Sequence, residues 1–220
     1  MSQVLLLSGS GAYADPWHPF AETSEMIARV LTEAGHRVEV SEDIEQRLAD
    51  LSGVEVLVVN AGDPARDGEP ASAPISAARS GLLAYRARGG GVVAVHAAAS
   101  TLPHIEEWAD MIGGRWVRGT SMHPDIGDAE IRVVDAAHPV IAQLGDFVTF
   151  DERYSYLEVR PGITELATHV HDGINHPMLW ALDDAGARSV YIGLGHDARA
   201  YDAPEPRRLL AQAVGWVAGR

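Results

Sequence analysis

Three short runs of almost entirely apolar residues most constrain how this chain can fold. They occupy residues 4–8, 54–60 and 92–95, and each ends at a glycine, asparagine or histidine. Strands inside a parallel sheet are buried on both faces, so they lack the polar alternation of surface strands. Residues 20–34 and 71–88 carry apolar side chains at helical spacing between these runs. This alternation predicts an α/β protein with a doubly wound, mainly parallel central sheet.

The second half of the chain adds strand-like segments that short connections join. Their lengths and spacing predict extra antiparallel strands and longer loops on one side of the sheet. The predicted strands of this half are residues 131–134, 147–150, 164–169, 178–181 and 190–194. A short strand at 36–40, a polar helix at 43–50 and an amphipathic helix at 205–217 complete the pattern. With no repeat and no linker, residues 1–220 are predicted to form a single domain.

Charge and cysteine content exclude several classes of function. The formal net charge is −14, from 31 acidic and 17 basic residues, and nucleic acids or anionic membranes require an excess of Lys and Arg. The chain has no cysteine, which excludes disulfides, thiolate metal sites and a cysteine nucleophile. The amino terminus lacks a basic region before its apolar run, so no signal peptide is predicted. We therefore expect a cytoplasmic protein without membrane or nucleic-acid partners.

The stretch GGGVVAVHAAAS, residues 89–100, places His96 where a buried strand turns sharply. In many α/β enzymes this turn carries a serine or cysteine nucleophile. His96 is either a functional imidazole or a histidine that only holds the turn. The glycine triplet is not followed by the lysine of a phosphate loop, and the glycines at 9 and 11 lack the third glycine of a dinucleotide fingerprint. Both are interpreted as ordinary turns.

Polar residues follow several predicted strands at their carboxyl ends. His18, His96, Glu152 and His196 each lie just after such a strand. Because the carboxyl ends of parallel strands share one edge of the sheet, these four side chains are expected to meet in one cleft. The pair Asp151-Glu152 at the end of an apolar strand suits acid/base chemistry, with a surface loop as the alternative.

An ordered set of residues across nearly the whole chain resembles the ThuA-like (trehalose utilisation) family. The set comprises His96 after a glycine-led strand, Trp108 with Gly113-Gly114, His123-Pro124, His138-Pro139, Asp151-Glu152 with Tyr154, Pro177 and Trp180 before a strand, and Gly193-Leu-Gly-His196 before the terminal helix. The resemblance implies a class I glutamine amidotransferase-like fold, which is a flavodoxin-like three-layer sandwich. It also implies a role in the catabolism of trehalose and related disaccharides, on 3-keto sugars that a partner dehydrogenase makes.

Two departures from the related patterns matter. Amidotransferases need a cysteine at the sharp turn that follows the glycine-led strand, which is called the elbow. His96 occupies that position here, so glutamine hydrolysis through a thioester is excluded. The family commonly has Glu followed by His after its first strand, and here the corresponding residues are Asp15-Pro-Trp-His18, of which only His18 matches.

These expectations lead to an enzyme that removes a proton beside a ketone, followed by isomerisation or glycosidic cleavage. Glu152 is the candidate base, and His96 or His196 is the acid or oxyanion partner. The candidate substrate-binding residues are Trp17, His18, His123, Asp151 and Tyr154. The alternatives are a non-catalytic sugar-binding or regulatory domain and, less well supported, an ester or amide hydrolase.

No cofactor is required by this scheme, but a divalent metal at His18, His123, His196 and Glu152 remains open. The only closely spaced pair, His169 and His171, lies inside a predicted strand that the resemblance does not mark. The expected partner is a small carbohydrate. Apolar helix faces would also allow a homodimer.

Overall fold

The computed structural model describes residues 1–65, 75–184 and 186–219, which contain eleven strands and five α-helices. The strands are β1 (Gln3–Ser8), β2 (Arg37–Ser41), β3 (Val56–Asn60), β4 (Gly91–Val95), β5 (Gly114–Arg115), β6 (Gly127–Val133), β7 (Phe147–Asp151), β8 (Glu158–Val159), β9 (Thr164–His171), β10 (Ile174–Asp184) and β11 (Ala187–Ile192). The helices are α1 (Phe20–Glu33), α2 (Ile44–Ala49), α3 (Ile75–Ala87), α4 (Glu107–Ile112) and α5 (Pro204–Val217). The first residues of the helix predicted at 71–88 lie outside the described residues.

Nine strands form one sheet in the order β2-β1-β3-β4-β11-β10-β9-β6-β7, and β5 pairs with β8 separately. Strands β2, β1, β3, β4 and β11 are parallel, with Val4 opposite Val56 and Val58 opposite Val93. The pairings from β11 through β10, β9 and β6 to β7 are all antiparallel. Because four antiparallel pairings separate β11 from β7, the two strands run in the same direction. Strand β7 therefore ends at the same edge of the sheet as the parallel strands. The predicted α/β fold with extra antiparallel strands is confirmed.

The sheet separates two apolar layers. Along β1, Leu6 packs into one layer while Leu5 and Leu7 pack into the other, because successive strand residues point to opposite faces. Helices α1 and α5 cover the first face, and α2, α3 and α4 cover the second. The resulting arrangement of helix, sheet and helix is the three-layer sandwich that the resemblance implies. Within the described residues no helix is long and apolar enough to cross a membrane.

The glycine triplet at the start of β4 leaves room for neighbouring elements to pack closely. A Cβ atom on Gly90 would lie 2.4 Å from the Tyr85 ring, and one on Gly91 would lie 2.5 Å from the Val217 carbonyl oxygen. Gly89 adopts a φ of +84°, which suits glycine. The triplet therefore allows α3 and α5 to approach β4, in agreement with its interpretation as an ordinary turn.

Strand β10 is longer than the segment predicted at 178–181. It begins at Ile174, and the pairing register with β9 shifts around Pro177, which has no N–H to donate. Pro177 therefore lies within this strand, outside the predicted segment, whereas Trp180 lies in the strand as predicted. The Trp180 indole N–H donates to the Ile112 carbonyl at 2.7 Å, and the ring covers Gly113. The first residues of β10 are mostly polar, so the sequence pattern does not reveal them as a strand. They belong to the strand because they pair with β9.

Candidate active site at the strand carboxyl ends

Four side chains from distant parts of the chain converge at one edge of the sheet. His18 follows β1, His96 follows β4, Glu152 follows β7 and His196 lies beyond β11. Each offers a nitrogen or oxygen atom, and these atoms all lie within 4.8 Å of one another. The three imidazole rings have centroid separations between 4.8 and 5.6 Å. The structure thus brings together the residues that the sequence places after the strands.

His96 occupies a strained position at the tip of the turn. Its φ is +46°, a left-handed value that is uncommon outside glycine, and its exposure is 1%. Its Nδ1 lies 2.8 Å from the Gly193 carbonyl oxygen, and because a carbonyl can only accept, Nδ1 carries the hydrogen. Burial lowers the pKa of His96 to about 4, although Glu152 opposes this shift. His96 is therefore a neutral imidazole whose Nε2 lone pair points into the cluster.

Glu152 presents its two oxygens to different surroundings. Its Oε2 lies 3.3 Å from His96 Nε2 and 3.2 Å from His196 Nδ1, inside the cluster. Its Oε1 lies 3.5 Å from Nδ1 of His123, on the outer side. Burial raises the pKa of Glu152, but contact with His196 and His96 outweighs burial and holds that pKa well below its ordinary value. The side chain is an ionised, buried carboxylate.

The pKa of His196 is shifted in the opposite direction to that of Glu152. Burial lowers the pKa of His196, but the neighbouring carboxylates, above all Glu152, more than reverse this and leave the pKa raised. Glu152 and His196 are 3.2 Å apart and form a largely buried pair, with neutral His96 beside them. Two groups with oppositely shifted pKa values in one cleft are typical of acid/base sites.

A second carboxylate orients His18 from behind. His18 Nδ1 lies 2.8 Å and 2.9 Å from the two oxygens of Asp15, and the backbone N–H groups of Trp17 and His18 donate to the same carboxylate. This arrangement turns His18 Nε2 toward the cluster, 3.4 Å from the Tyr154 hydroxyl. The sequence did not assign Asp15 a role, although the Asp-x-x-His spacing is a usable signal for a carboxylate and histidine that meet in one turn.

Asp151 is predicted from the sequence to contact the substrate, but in the structure it lies behind the cluster and is not one of the described residues that line the adjoining pocket. It is fully buried, and its Oδ2 accepts from the Gly195 N–H at 2.7 Å. Its Oδ1 accepts from the N–H groups of His196 and Glu152. Burial raises the pKa of Asp151 to about 7, and the three N–H donors oppose that rise. Asp151 is therefore a positioning residue that ties the end of β7 to the loop after β11.

A pocket of about 350 Å³ reaches the cluster at His18 and Glu152, which line its wall. Trp17, 63% exposed, forms one rim, and the buried Tyr154 forms part of the floor. The described lining residues are Asp15, Trp17, His18, Asp63, Ser100, Trp116, Arg118, His123, Glu152 and Tyr154. Asp63, Trp116 and Arg118 are not among the predicted site residues, because no motif marks Trp116 and Arg118 and Asp63 is one of several polar residues that follow a strand. Predicted residues Trp17, His18, His123 and Tyr154 do line this pocket.

A larger neighbouring pocket of about 470 Å³ continues the groove away from the cluster. It shares Asp63, Ser100, Trp116 and Arg118 with the first pocket, and Arg118 and Asp63 form an ion pair along the shared wall. None of the four converging residues lines it. Of these two pockets, the smaller one is the pocket that members of the cluster line, through His18 and Glu152.

The fold and the site define a class of protein: an α/β sandwich of the glutamine amidotransferase type with a histidine at the elbow. Solved structures support this class. A ThuA-like protein from Parabacteroides merdae matches with a TM-score of 0.81 and 20% identity, covering 99% of this chain and 90% of that one. One from Bacteroides uniformis matches with a TM-score of 0.76 and 19% identity, covering 98% and 91%. A glutamine amidotransferase from Thermotoga maritima matches at 0.52 and 12% identity, covering 99% and 94%.

The sequence profile of the ThuA family, described as trehalose utilisation, matches residues 3–217. The chain therefore belongs to the ThuA family, as its ordered motifs indicate. A comparison with curated proteins gave no match.

Proposed function

We propose that this protein is a sugar-catabolic enzyme that moves a proton at the carbon beside the ketone of a 3-keto-disaccharide or related glycoside. One observation carries the proposal: Glu152 is a buried carboxylate with one oxygen in a histidine cluster and the other toward a pocket. Membership of the trehalose utilisation family supports a disaccharide as the substrate class.

The reaction begins at the carbon–hydrogen bond next to the ketone. Glu152 Oε1 takes the proton, the bond's electron pair forms an enediolate, and the ketone oxygen gains negative charge. His196 lies beside Oε2 of Glu152, and its positive charge stabilises the negative charge on the ketone oxygen. Return of a proton to the former ketone carbon, while the neighbouring hydroxyl loses its proton and the former ketone oxygen gains one, completes an isomerisation. Expulsion of a glycosidic oxygen, which takes up a proton as it leaves, completes an elimination.

The contact between Glu152 and His196 couples the two proton transfers. In the resting site the positive imidazole depresses the pKa of Glu152, so this carboxylate is a weak base. When His196 gives its proton to the substrate oxygen, that depression disappears and Glu152 becomes a stronger base. His196 therefore serves as the acid, and neutral His96 orients the pair through its bond to Gly193.

The shape of the groove suits two sugar rings. Trp17 and Trp116 offer aromatic faces at the pocket beside the cluster, and the larger pocket continues past Trp116. Aromatic faces pack against the apolar faces of sugar rings, while Asp63 and Arg118 offer polar partners for hydroxyl groups. We place the keto ring beside Glu152 and the second ring in the larger pocket.

The test is hydrogen–deuterium exchange beside the ketone of 3-ketotrehalose, followed by NMR in D₂O together with product formation. The Glu152→Gln variant is expected to lose about 100-fold or more of the exchange rate, because the amide cannot accept the proton. Glu158→Gln is the matched control, since this exposed carboxylate lies at the surface and pairs with Arg115 among the described residues. Sugar binding without exchange or product in the parent protein would contradict the proposal and favour a binding domain.

A further inference from the structure

We propose that His18, His96, Glu152 and His196 bind a divalent first-row transition-metal ion, and that zinc fits this set best. The four side chains come from four separate strand ends, yet their donor atoms lie within 4.8 Å of one another. Three imidazoles and one carboxylate form a donor set that such ions prefer.

The hydrogen bonds behind the cluster point the imidazole lone pairs inward. His96 commits Nδ1 to the Gly193 carbonyl, and His18 commits Nδ1 to the Asp15 carboxylate. Both acceptors select the tautomer with hydrogen on Nδ1, so Nε2 of each ring presents a lone pair to the cluster. Metal-binding histidines generally have such an acceptor behind them, since it fixes the ring and raises its basicity.

Two of the donor atoms are buried without a hydrogen-bond partner among the described residues. They are His96 Nε2 and His196 Nδ1, and both face Oε2 of Glu152 at 3.3 and 3.2 Å. A lone pair and a carboxylate oxygen repel one another unless a cation lies between them. One proton can satisfy only one of these contacts at a time, whereas one metal ion accepts all four donors together.

Two of the distances between donor atoms fit a small tetrahedral ion. Zinc–nitrogen and zinc–oxygen bonds of about 2.0 to 2.2 Å place neighbouring ligand atoms roughly 3.4 Å apart. The two contacts at Glu152 Oε2 already have this spacing. Calcium and magnesium prefer sites made mostly of oxygen, which three imidazoles do not provide.

His123 lies outside the proposed ligand set. Its Nδ1 is 3.0 Å from the Pro124 carbonyl oxygen and faces Glu152 Oε1 rather than Oε2. The buried His96 takes the place that the sequence analysis gave to His123 beside His18, His196 and Glu152. An ion in this set leaves Oε1 of Glu152 facing the pocket, so Glu152 can still take up a proton. A bound ion would supply the positive charge beside the substrate oxygen in place of the His196 proton, and His196 would then be a ligand rather than the acid.

The experiment measures metal content directly. Protein purified without a histidine tag is dialysed against a chelator and then incubated with Zn²⁺, Mn²⁺ or Co²⁺. Mass spectrometry of the washed protein is expected to find about one ion per chain. At ion concentrations ~100-fold above the dissociation constant, the Tm is expected to rise by roughly 5 to 10 °C. Co²⁺ is expected to give the visible absorption bands of a tetrahedral site.

Variants assign the ion to these residues. His18→Gln and His96→Gln are expected to lose the ion, while His171→Gln, a histidine of β9 outside the cluster, is expected to retain it. His96 lies in the buried turn, so circular dichroism checks each fold, and the less buried His18 supplies the deciding variant. A folded His18→Gln protein that binds the ion as tightly as the parent overturns the proposal, as does a parent that retains no ion. In the latter case, loss of deuterium exchange in Glu152→Gln would still support the proposed reaction.

Discussion

A buried histidine in the left-handed region of backbone space defines the site at the scale of single residues. The sequence places His96 at the strand end, but its φ of +46° and its bond to Gly193 depend on a loop about a hundred residues away. The same is true of Glu152, whose position after an apolar strand is visible in the sequence. Its low pKa arises from contact with His196 and His96, which belong to other parts of the chain.

Asp151 offers a test of how one carboxylate supports the site. Asp151→Asn is expected to lower the free energy of unfolding by about 2 to 4 kcal/mol, because the amide NH₂ replaces one acceptor opposite buried N–H donors. Urea unfolding measures the loss. Asp50→Asn is the control, since this exposed carboxylate accepts hydrogen bonds from the nearby Ser52 at the surface, and the stability of this variant should be nearly that of the parent. Equal effects of the two substitutions would contradict the positioning role of Asp151.

At the scale of elements, the direction of each strand decides whether its end reaches the site. The expectation that Glu152 would join His18 and His96 depended on β7 running with the parallel strands. Strand β7 is separated from β11 by three strands, and four antiparallel pairings return it to that direction. Apolar pattern alone indicates that a strand exists. The number of reversals before it depends on pairing partners that the local sequence does not specify.

The loop after β11 can be tested through Gly195, which lies beside the elbow. Its φ is +112°, and a Cβ atom there would lie 2.8 Å from the Tyr201 hydroxyl and 3.1 Å from Val95. Gly195→Ala is therefore expected to cost about 1 to 3 kcal/mol more stability than Gly162→Ala, as measured by urea unfolding. Gly162 also has positive φ, but nothing lies within 4 Å of its added Cβ. Similar losses in both variants would show that backbone strain, rather than crowding against the elbow, is what matters.

At the scale of the whole molecule, both halves of the chain contribute to one sheet and one site. Strand β4 pairs with β3 on one side and with β11 on the other. The apolar layer beneath α1 and α5 likewise contains residues of both halves. The site cannot form until the halves have joined, because His18 and His96 come from the first and Glu152 and His196 from the second.

This shared core leads to a prediction about unfolding. Tryptophan fluorescence and far-ultraviolet circular dichroism are expected to report the same single transition in guanidinium, because neither half has a complete core of its own. The five tryptophans lie in both halves of the chain, so the fluorescence signal samples the whole molecule. Two separate transitions would contradict the prediction of a single domain.

By itself, the sequence determined the α/β class, the order of the main elements and the residue types at the strand ends. It could do so because apolar periodicity and turn residues act over a few neighbouring positions. Tertiary structure alone decided that Asp151 braces two loops, that Asp15 orients His18, and that Asp63, Trp116 and Arg118 line the groove. It also decided the burial that makes His96 neutral and leaves its Nε2 facing Glu152. Those properties depend on distances between residues far apart in the chain, which only the packed sheet brings together.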